Sequence, residues 1–323
     1  LKNQRLRDGL PVITTLFEKD GLTFAVEQFA YPLYGIPEER RGDIPMVLFQ
    51  KLKVTNTGTE IRDTVITLIH QRKFDTLENP HVILQPGENR VCLVEEATGQ
   101  ILFSLDGSEL LHLSCSSKKL GNVSKDENPI LYETKLTLAL NPQESGEWII
   151  KLPSPIVSLQ DREKLLSLDY QKSLEKTLQF WQDDLSRGAE FSVPEKAVND
   201  LFRTNLWHAR RLPRRHGGSE DGVQIDIPYS NFAYDQNGIP WPVNQAVYVD
   251  SMLYDLRGYH EDSVEELLAM FQKNQESNGH IGGFANWGVY TPSMLYAVAK
   301  NYLLSQDRAA LERLLPSTLK SLD

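Results

Sequence analysis

The sequence has few of the residues that stabilise small secreted domains or build metal and membrane elements. Only two of its 323 residues are cysteines, Cys92 and Cys115, which excludes a disulfide scaffold and a four-cysteine zinc site. No apolar run reaches the roughly 18 residues of a membrane-spanning helix, so we expect no such span. The net charge is −10, from 34 Lys and Arg against 44 Asp and Glu. Nucleic acids and anionic membranes require a cationic surface, so neither is an expected partner.

Sequence motifs for nucleotide and metal chemistry are also missing. The chain contains neither G-x-x-x-x-G-K-[ST] nor G-x-G-x-x-G, and neither H-E-x-x-H nor the nucleophile motif G-x-S-x-G. Its seven histidines do not cluster at the spacing of metal ligands. We therefore expect no metal and no cofactor.

The first half of the chain has the alternating pattern of β-strands. Stretches 22–30, 47–55, 64–70 and 132–140 alternate apolar with polar or small residues, and turn residues such as Asp20-Gly21 separate them. Strands at this spacing, without a long helical window between them, predict an antiparallel β-sandwich. We assign residues 1–155 to this domain.

The apolar period changes to about 3.6 residues after Pro155, which indicates helices. We predict a helix over 161–186, a second from Pro194 to about 209, and a loop over roughly 213–242. Further helices are expected near 243–257, 261–274, 291–305 and 307–320. Residues 156–190 then form a linker helix, and 191–323 form stacked helical hairpins joined by short loops.

The long loop between helices combines carboxylates with aromatic rings, as carbohydrate chemistry requires. Asp226 lies between Ile225 and Ile227, so we expect it to be buried with a raised pKa, as a general acid needs. Asp235 lies further along the same loop. The alternative interpretation is a packed Ω-loop in which the aspartates make turns.

Three other polar groups have two interpretations each. The segment 279–290, which contains His280, is either part of the site or a glycine-rich turn around a core Trp. Asp250 lies in an apolar helix and either anchors a neighbouring helix or points into a central cavity. The cluster Arg210, Arg211, Arg214 and Arg215 is interpreted as a solvated helix end or an ion-pairing site.

Taken together, the pattern resembles the six-hairpin, (α/α)6-barrel glycoside hydrolases, which have an N-terminal β-sandwich. Residues 249–263 are similar to that family's hairpin unit, 272–281 to its "QxxDG" turn and 295–307 to its repeated helix. The sequence Val-Gln-Ile-Asp226-Ile-Pro, followed by Gly-Ile-Pro-Trp241-Pro-Val-Asn-Gln245, resembles the α-L-rhamnosidase loop "TDCPQRDE … GWTGDAQ". The Arg-Asp-Glu of that loop is absent here.

The resemblance implies a glycoside hydrolase that cleaves an oligosaccharide or polysaccharide with inversion, by carboxylate acid–base catalysis. The carboxylates it indicates as catalytic are Asp226, Asp235 and Asp250. The expected substrate-binding residues are Trp241, Trp287, Tyr229, Tyr248, Gln245, Asn286 and His280. The toroid is expected to be incomplete here, with the partner base and the rest of the barrel beyond Asp323 or on another segment.

Other functions remain open from the sequence alone. A glycoside phosphorylase or a polysaccharide lyase would use the same toroid, and a non-catalytic carbohydrate-binding protein would use the sandwich. The sugar and the linkage are not fixed by the sequence. A periplasmic or secreted location is favoured over the cytoplasm.

Overall fold

A computed structural model describes residues 1–37, 44–72, 81–107, 113–119, 130–210, 214–219, 222–226, 254–282 and 288–322. These residues divide into two compact units. The first comprises 1–7, 11–36 and 44–178, and the second comprises 8–10, 37–43 and 179–323. The predicted domain boundaries at 155 and 190 stay a prediction.

The first unit is built from eleven described strands and two helices. The strands are β1 (Asn3–Arg7), β2 (Leu10–Lys19), β3 (Leu22–Pro32), β4 (Met46–Asn56), β5 (Arg62–Arg72), β6 (Val82–Gly87), β7 (Arg90–Glu95), β8 (Ile101–Gly107), β9 (Leu113–Lys119), β10 (Ile130–Leu140) and β11 (Ser145–Ser154). One sheet has the order β1-β2-β3-β4-β11-β8-β7-β6, and the other has the order β5-β10-β9. The registers found between these strands are antiparallel.

The two sheets enclose a shared hydrophobic core, so the predicted antiparallel β-sandwich is confirmed. Phe24 of β3 and Leu52 of β4 pack there with Tyr132 and Leu136 of β10. Successive residues of a strand point to opposite faces, so Phe29 and Phe49 on the same two strands face the other side of the large sheet. The predicted strands at 22–30, 47–55, 64–70 and 132–140 correspond to β3, β4, β5 and β10.

Helices cover the other face of the large sheet. The helix predicted over 161–186 is in fact two helices, α1 (Arg162–Ser167) and α2 (Tyr170–Ser186). Leu168 is extended, with ψ of 122°, and the Lys172 backbone N–H donates to Asp169 Oδ1 at 2.8 Å. The periodic apolar stripe continues across the break, while Asp169 provides the N-terminal cap that starts α2. The unit boundary at Leu178 falls inside α2.

The second unit contains helices α3 (Lys196–Arg210), α4 (His260–Asn274), α5 (Tyr290–Ser305) and α6 (Arg308–Leu322). Helices α4, α5 and α6 pack against one another around a core that includes Leu267, Met294 and Leu314. The predictions for 194–209, 261–274, 291–305 and 307–320 are therefore confirmed as helices. Most of the helix predicted at 243–257 lies outside the described residues, and Asp255–Arg257 forms a 3-10 turn.

None of the helices in the described ranges is long and apolar enough to cross a membrane.

Candidate functional site

Asp226 ends a β-hairpin in the helical unit. Strand β12 (Arg214–Ser219) pairs antiparallel with β13 (Gly222–Asp226), which places Arg214 opposite Asp226. We had predicted a continuous loop over 213–242, and the hairpin corrects this for its first part. The physical reason is the alternation of β-branched Val223 and Ile225 with Gln224, which favours a strand despite the surrounding glycines.

The hairpin lies beside α4, because β13 contacts that helix. Helix α4 carries a buried carboxylate, Glu266, which is 1% exposed, one turn from the fully buried Ser263. Charged side chains are rarely buried without a partner, so Glu266 marks a polar position inside this unit. The strand that ends at Asp226 therefore runs next to a helix that places a carboxylate in the interior.

An ion-pair cluster lies at the end of α3, which precedes the hairpin along the chain. Arg210, the last residue of α3, is 1% exposed and binds Asp184 with two hydrogen bonds, of 2.5 Å from Nε and 2.6 Å from Nη2. Its Nη1 lies 3.2 Å from Asp262 Oδ2. Burial alone would lower the pKa of Arg210, but the hydrogen bonds and the charges of the two aspartates raise it above its usual range. Arg210 thus ties α2, α3 and α4 together four residues before β12 begins.

Two tyrosine rings enclose the same guanidinium. Its Cζ lies 4.2 Å from the ring centroid of Tyr259 and 5.5 Å from that of Tyr254. The Tyr259 hydroxyl donates to the Asp184 carbonyl oxygen at 3.0 Å. The ion-pairing interpretation of the arginine cluster is confirmed for Arg210. Arg211 and the side chains of Arg214 and Arg215 lie outside the described part.

A second buried network surrounds Asp255. Its carboxylate accepts hydrogen bonds from Asn301 Nδ2 at 2.8 Å and from Ser263 Oγ at 3.1 Å, and His260 Nδ1 lies at 3.1 Å. Burial raises the pKa of Asp255, and the hydrogen bonds from His260, Asn301 and Ser263 offset part of that rise. The network joins the 3-10 turn to α4 and α5.

The raised pKa of Asp255 predicts a pH dependence of stability. The folded protein holds this proton more tightly than the unfolded chain, so stability falls as pH rises from the unfolded value of about 3.9 through the folded value. Asp255→Asn removes this loss. We expect the free energy of unfolding of the variant, relative to the parent, to increase with pH across that window in chemical denaturation. Asp200→Asn, at a partly exposed position on α3, is the control, and a parent–variant difference that is constant with pH would contradict the interpretation.

His280 lies in a tight turn after α4. Its backbone N–H donates to Asn278 Oδ1 at 3.0 Å, and its Nδ1 lies 3.5 Å from Thr291 Oγ1. The turn also binds the end of α6, because Ser321 Oγ donates to the Gly279 carbonyl oxygen at 2.7 Å. These contacts fit a packed turn, which was the alternative interpretation of this segment.

Gly279 makes the turn possible, so Gly279→Ala should be strongly destabilising. Its φ is +83°, and a Cβ would lie 1.8 Å from the backbone oxygen of Lys320. Left-handed strain and overpacking together should cost about 2 kcal/mol or more of unfolding free energy. Gly288→Ala is the matched control, since a Cβ there meets nothing within 4 Å. Equal thermal stability of the two variants would contradict this account of the turn.

The remaining predicted site residues lie outside the described ranges. They are Tyr229, Asp235, Trp241, Gln245, Tyr248, Asp250, Asn286 and Trp287. Of Asp226 the structure gives the backbone register only, so its predicted burial and raised pKa remain predictions. Across the described residues, no group of three or more His, Cys, Asp or Glu side chains could hold a metal ion.

Sequence reasoning did not single out Glu266, Asp255 or Asp184. A signal for Glu266 was available, since it falls on the apolar stripe of α4 between Ser263 and Met270, where a charged residue is unexpected. No such signal identified Asp184, because its buried partner, Arg210, comes from α3, 26 residues along the chain.

No protein-family profile and no curated protein matches the sequence. Solved structures do match. One is named as a kojibiose phosphorylase from the human microbiome, with a TM-score of 0.46 and 11% identity over 92% of this chain and 42% of that chain. Another is a family GH92 inverting mannosidase from Bacteroides thetaiotaomicron, with a TM-score of 0.40 and 11% identity. The match covers 96% of this chain and 50% of the mannosidase chain. This chain spans half or less of their length, and scores of this size assign it to no family.

Proposed function

We propose that this chain belongs to a glycoside hydrolase that cleaves an oligosaccharide or polysaccharide with inversion. In this proposal, residues 191–323 form the first part of an (α/α)6 toroid. Asp226 acts as the general acid or as a carboxylate that binds sugar hydroxyls. Asp235 and Asp250 are the further candidate carboxylates, and Trp241 and Trp287 shape the sugar subsite.

The observation that carries the proposal is the position of the hairpin. The strand that ends at Asp226 runs beside α4, in a helical unit that follows a β-sandwich and a linker helix along the chain. This is the order of elements in the family that the sequence resembles. Asp226 is also the residue that matches the first Asp of the rhamnosidase-type loop. Sequence motif and chain order therefore support the same site.

The Arg210 cluster supports a fixed geometry for this site. Proton transfer requires an acid held within hydrogen-bond reach of the leaving oxygen, so a catalytic strand needs a rigid attachment. Arg210 is bound to Asp184 and Asp262 and lies four residues before β12. The helix that precedes the hairpin thus ends in a residue fixed by buried ion pairs, which fits the attachment that a catalytic carboxylate in the second strand would require.

The proposal is tested by incubating the full-length protein with oligosaccharides, with and without inorganic phosphate. The panel includes α-mannosides, α-L-rhamnosides and kojibiose. Hydrolysis gives reducing sugar without phosphate. Phosphate-dependent turnover would instead indicate a phosphorylase, and an ultraviolet-absorbing unsaturated product would indicate a lyase. Sugar binding without turnover of any substrate would contradict the enzymatic assignment.

A further inference from the structure

The first unit contains a polar cavity that the proposed function does not use. It is open to solvent and has a volume of about 520 Å³, on the face of the large sheet that α1 and α2 cover, at the break between these helices. Residues of β4, β7, β8 and β11 form its floor, and residues 166–171 form its side. Binding sites for small ligands have volumes of about 300–1,000 Å³, so this cavity is large enough for a sugar.

A buried ion pair forms one wall. Lys151, whose side chain is 3% exposed, binds Asp106 Oδ2 at 2.8 Å and donates to the Leu166 carbonyl oxygen at 3.2 Å. Arg90 Nη1 donates to the same carbonyl oxygen at 3.2 Å. Arg90 Nε also lies 3.8 Å from Asp106 Oδ1, which is a buried oxygen. An ammonium has three donors and a guanidinium five, so this wall keeps unused donor capacity.

Lys51 and Glu147 add a second pair of opposite charges. The Lys51 ammonium lies 5.3 Å from the ring centroid of Tyr170, and Glu147 is exposed. Neither forms an ion pair with any other described residue. Three cationic and three anionic side chains therefore line the cavity. Because the charges balance, the lining favours neither an anionic nor a cationic ligand.

We propose that this cavity is a non-catalytic carbohydrate-binding site for one or two sugar units. A sugar hydroxyl both donates and accepts hydrogen bonds, so it can pair with the ammonium and carboxylate groups at once. The partly buried Ile149, Leu166 and Leu168 provide an apolar wall for the C–H face of the ring. The sugar class rests on the proposed function, but the binding does not require turnover.

The test is methyl-detected NMR of the full-length protein with Ile and Leu methyl labels. The probes are methyl α-D-mannopyranoside, methyl α-D-glucopyranoside and methyl α-L-rhamnopyranoside at millimolar concentration. We expect at least one to shift the methyl signals of Ile149, Leu166 and Leu168. Lys51→Met and Glu147→Gln should each weaken this binding about tenfold, the loss expected for a hydrogen bond to a charged group.

Lys53→Met is the matched control, because Lys53 lies on the same strand outside the cavity lining and should leave the binding unchanged. Asp226→Asn should also leave it unchanged, so a failure of the proposed active site can be distinguished from a failure of this site. The proposal is wrong if no sugar shifts these methyl signals, or if titration gives the same dissociation constant for the parent and for both cavity variants. It is also wrong if inorganic phosphate shifts the signals and the sugars do not.

Discussion

Asp226→Asn is expected to lower kcat for glycan cleavage by about 10²–10⁴-fold, the usual cost of losing a positioned acid or base. The amide has nearly the shape of the carboxyl group but cannot transfer a proton. It can still bind a sugar hydroxyl, so KM should change much less than kcat. Because Asp226 ends β13 opposite Arg214, the substitution lies at the hairpin end and leaves the backbone pairing in place.

Asp200→Asn is the control for this experiment. Among the described residues, Asp200 pairs with Lys196 at the surface. Such pairs contribute about 0–1 kcal/mol, so the activity of Asp200→Asn should equal that of the parent. Asp235→Asn is measured alongside. If Asp226→Asn and Asp235→Asn both retain activity within about tenfold of the parent, neither residue is the catalytic acid or base.

Arg210→Met is expected to cost about 3 kcal/mol of unfolding free energy, because it removes the buried cation between two carboxylates and leaves them with the exposed Arg187 as counter-charge. Asp184 is buried and Asp262 is largely so, and both accept hydrogen bonds from Arg210. Methionine is similar in volume but carries no charge, so the loss reports mainly the charge of Arg210 and its hydrogen bonds. Chemical denaturation of parent and variant measures it.

Arg308→Met provides the comparison within the same unit. Arg308 pairs with Glu312 at 3.0 Å on the exposed surface of α6, where we expect a change within about 0.5 kcal/mol. Arg210→Lys keeps the charge but loses the two-point binding of Asp184, so its stability should lie between those of the parent and Arg210→Met. A loss below about 1 kcal/mol for Arg210→Met would contradict the role given to this cluster.

The sandwich was predictable because burial of its strands leaves a pattern of apolar residues in the sequence. A strand face is apolar where it packs against the other sheet or against the helices. In β3, Leu22 and Phe24 face the sheet-to-sheet core, whereas Phe29 faces the helices. Alternation of this kind is visible in the local sequence, so a strand can be predicted without knowing which strands it pairs with. The pairing order of the large sheet was not predictable, since β4 pairs with β11 about 100 residues later and no local pattern specifies that partner.

The helices were predictable from their period, but their interruptions were not. The apolar stripe runs through Leu166, Tyr170 and Leu174 without a gap, although Leu168 is extended between α1 and α2. A cap such as Asp169 acts through one side-chain hydrogen bond, which periodicity does not detect. The hairpin at 214–226 was missed for the opposite reason, because its glycines outweighed the short alternation of Val223 and Ile225.

Long-range polar clusters were the hardest part of the candidate site to predict. Asp255 binds Asn301 across 46 residues, and Arg210 binds Asp184 across 26. Each residue taken alone resembles an ordinary surface charge. Their burial follows from how helices pack, which the sequence of one helix does not encode.

The measurement that tests the central claim most directly is proton NMR of the first product formed by the full-length protein from the glycan that the panel identifies. Inverting hydrolysis places a water between two carboxylates, so the first-formed sugar should carry the anomeric configuration opposite to that of the substrate. Mutarotation should then produce the second anomer only later. A first product that retains the substrate's configuration, or no hydrolysis of any glycan, would contradict the account.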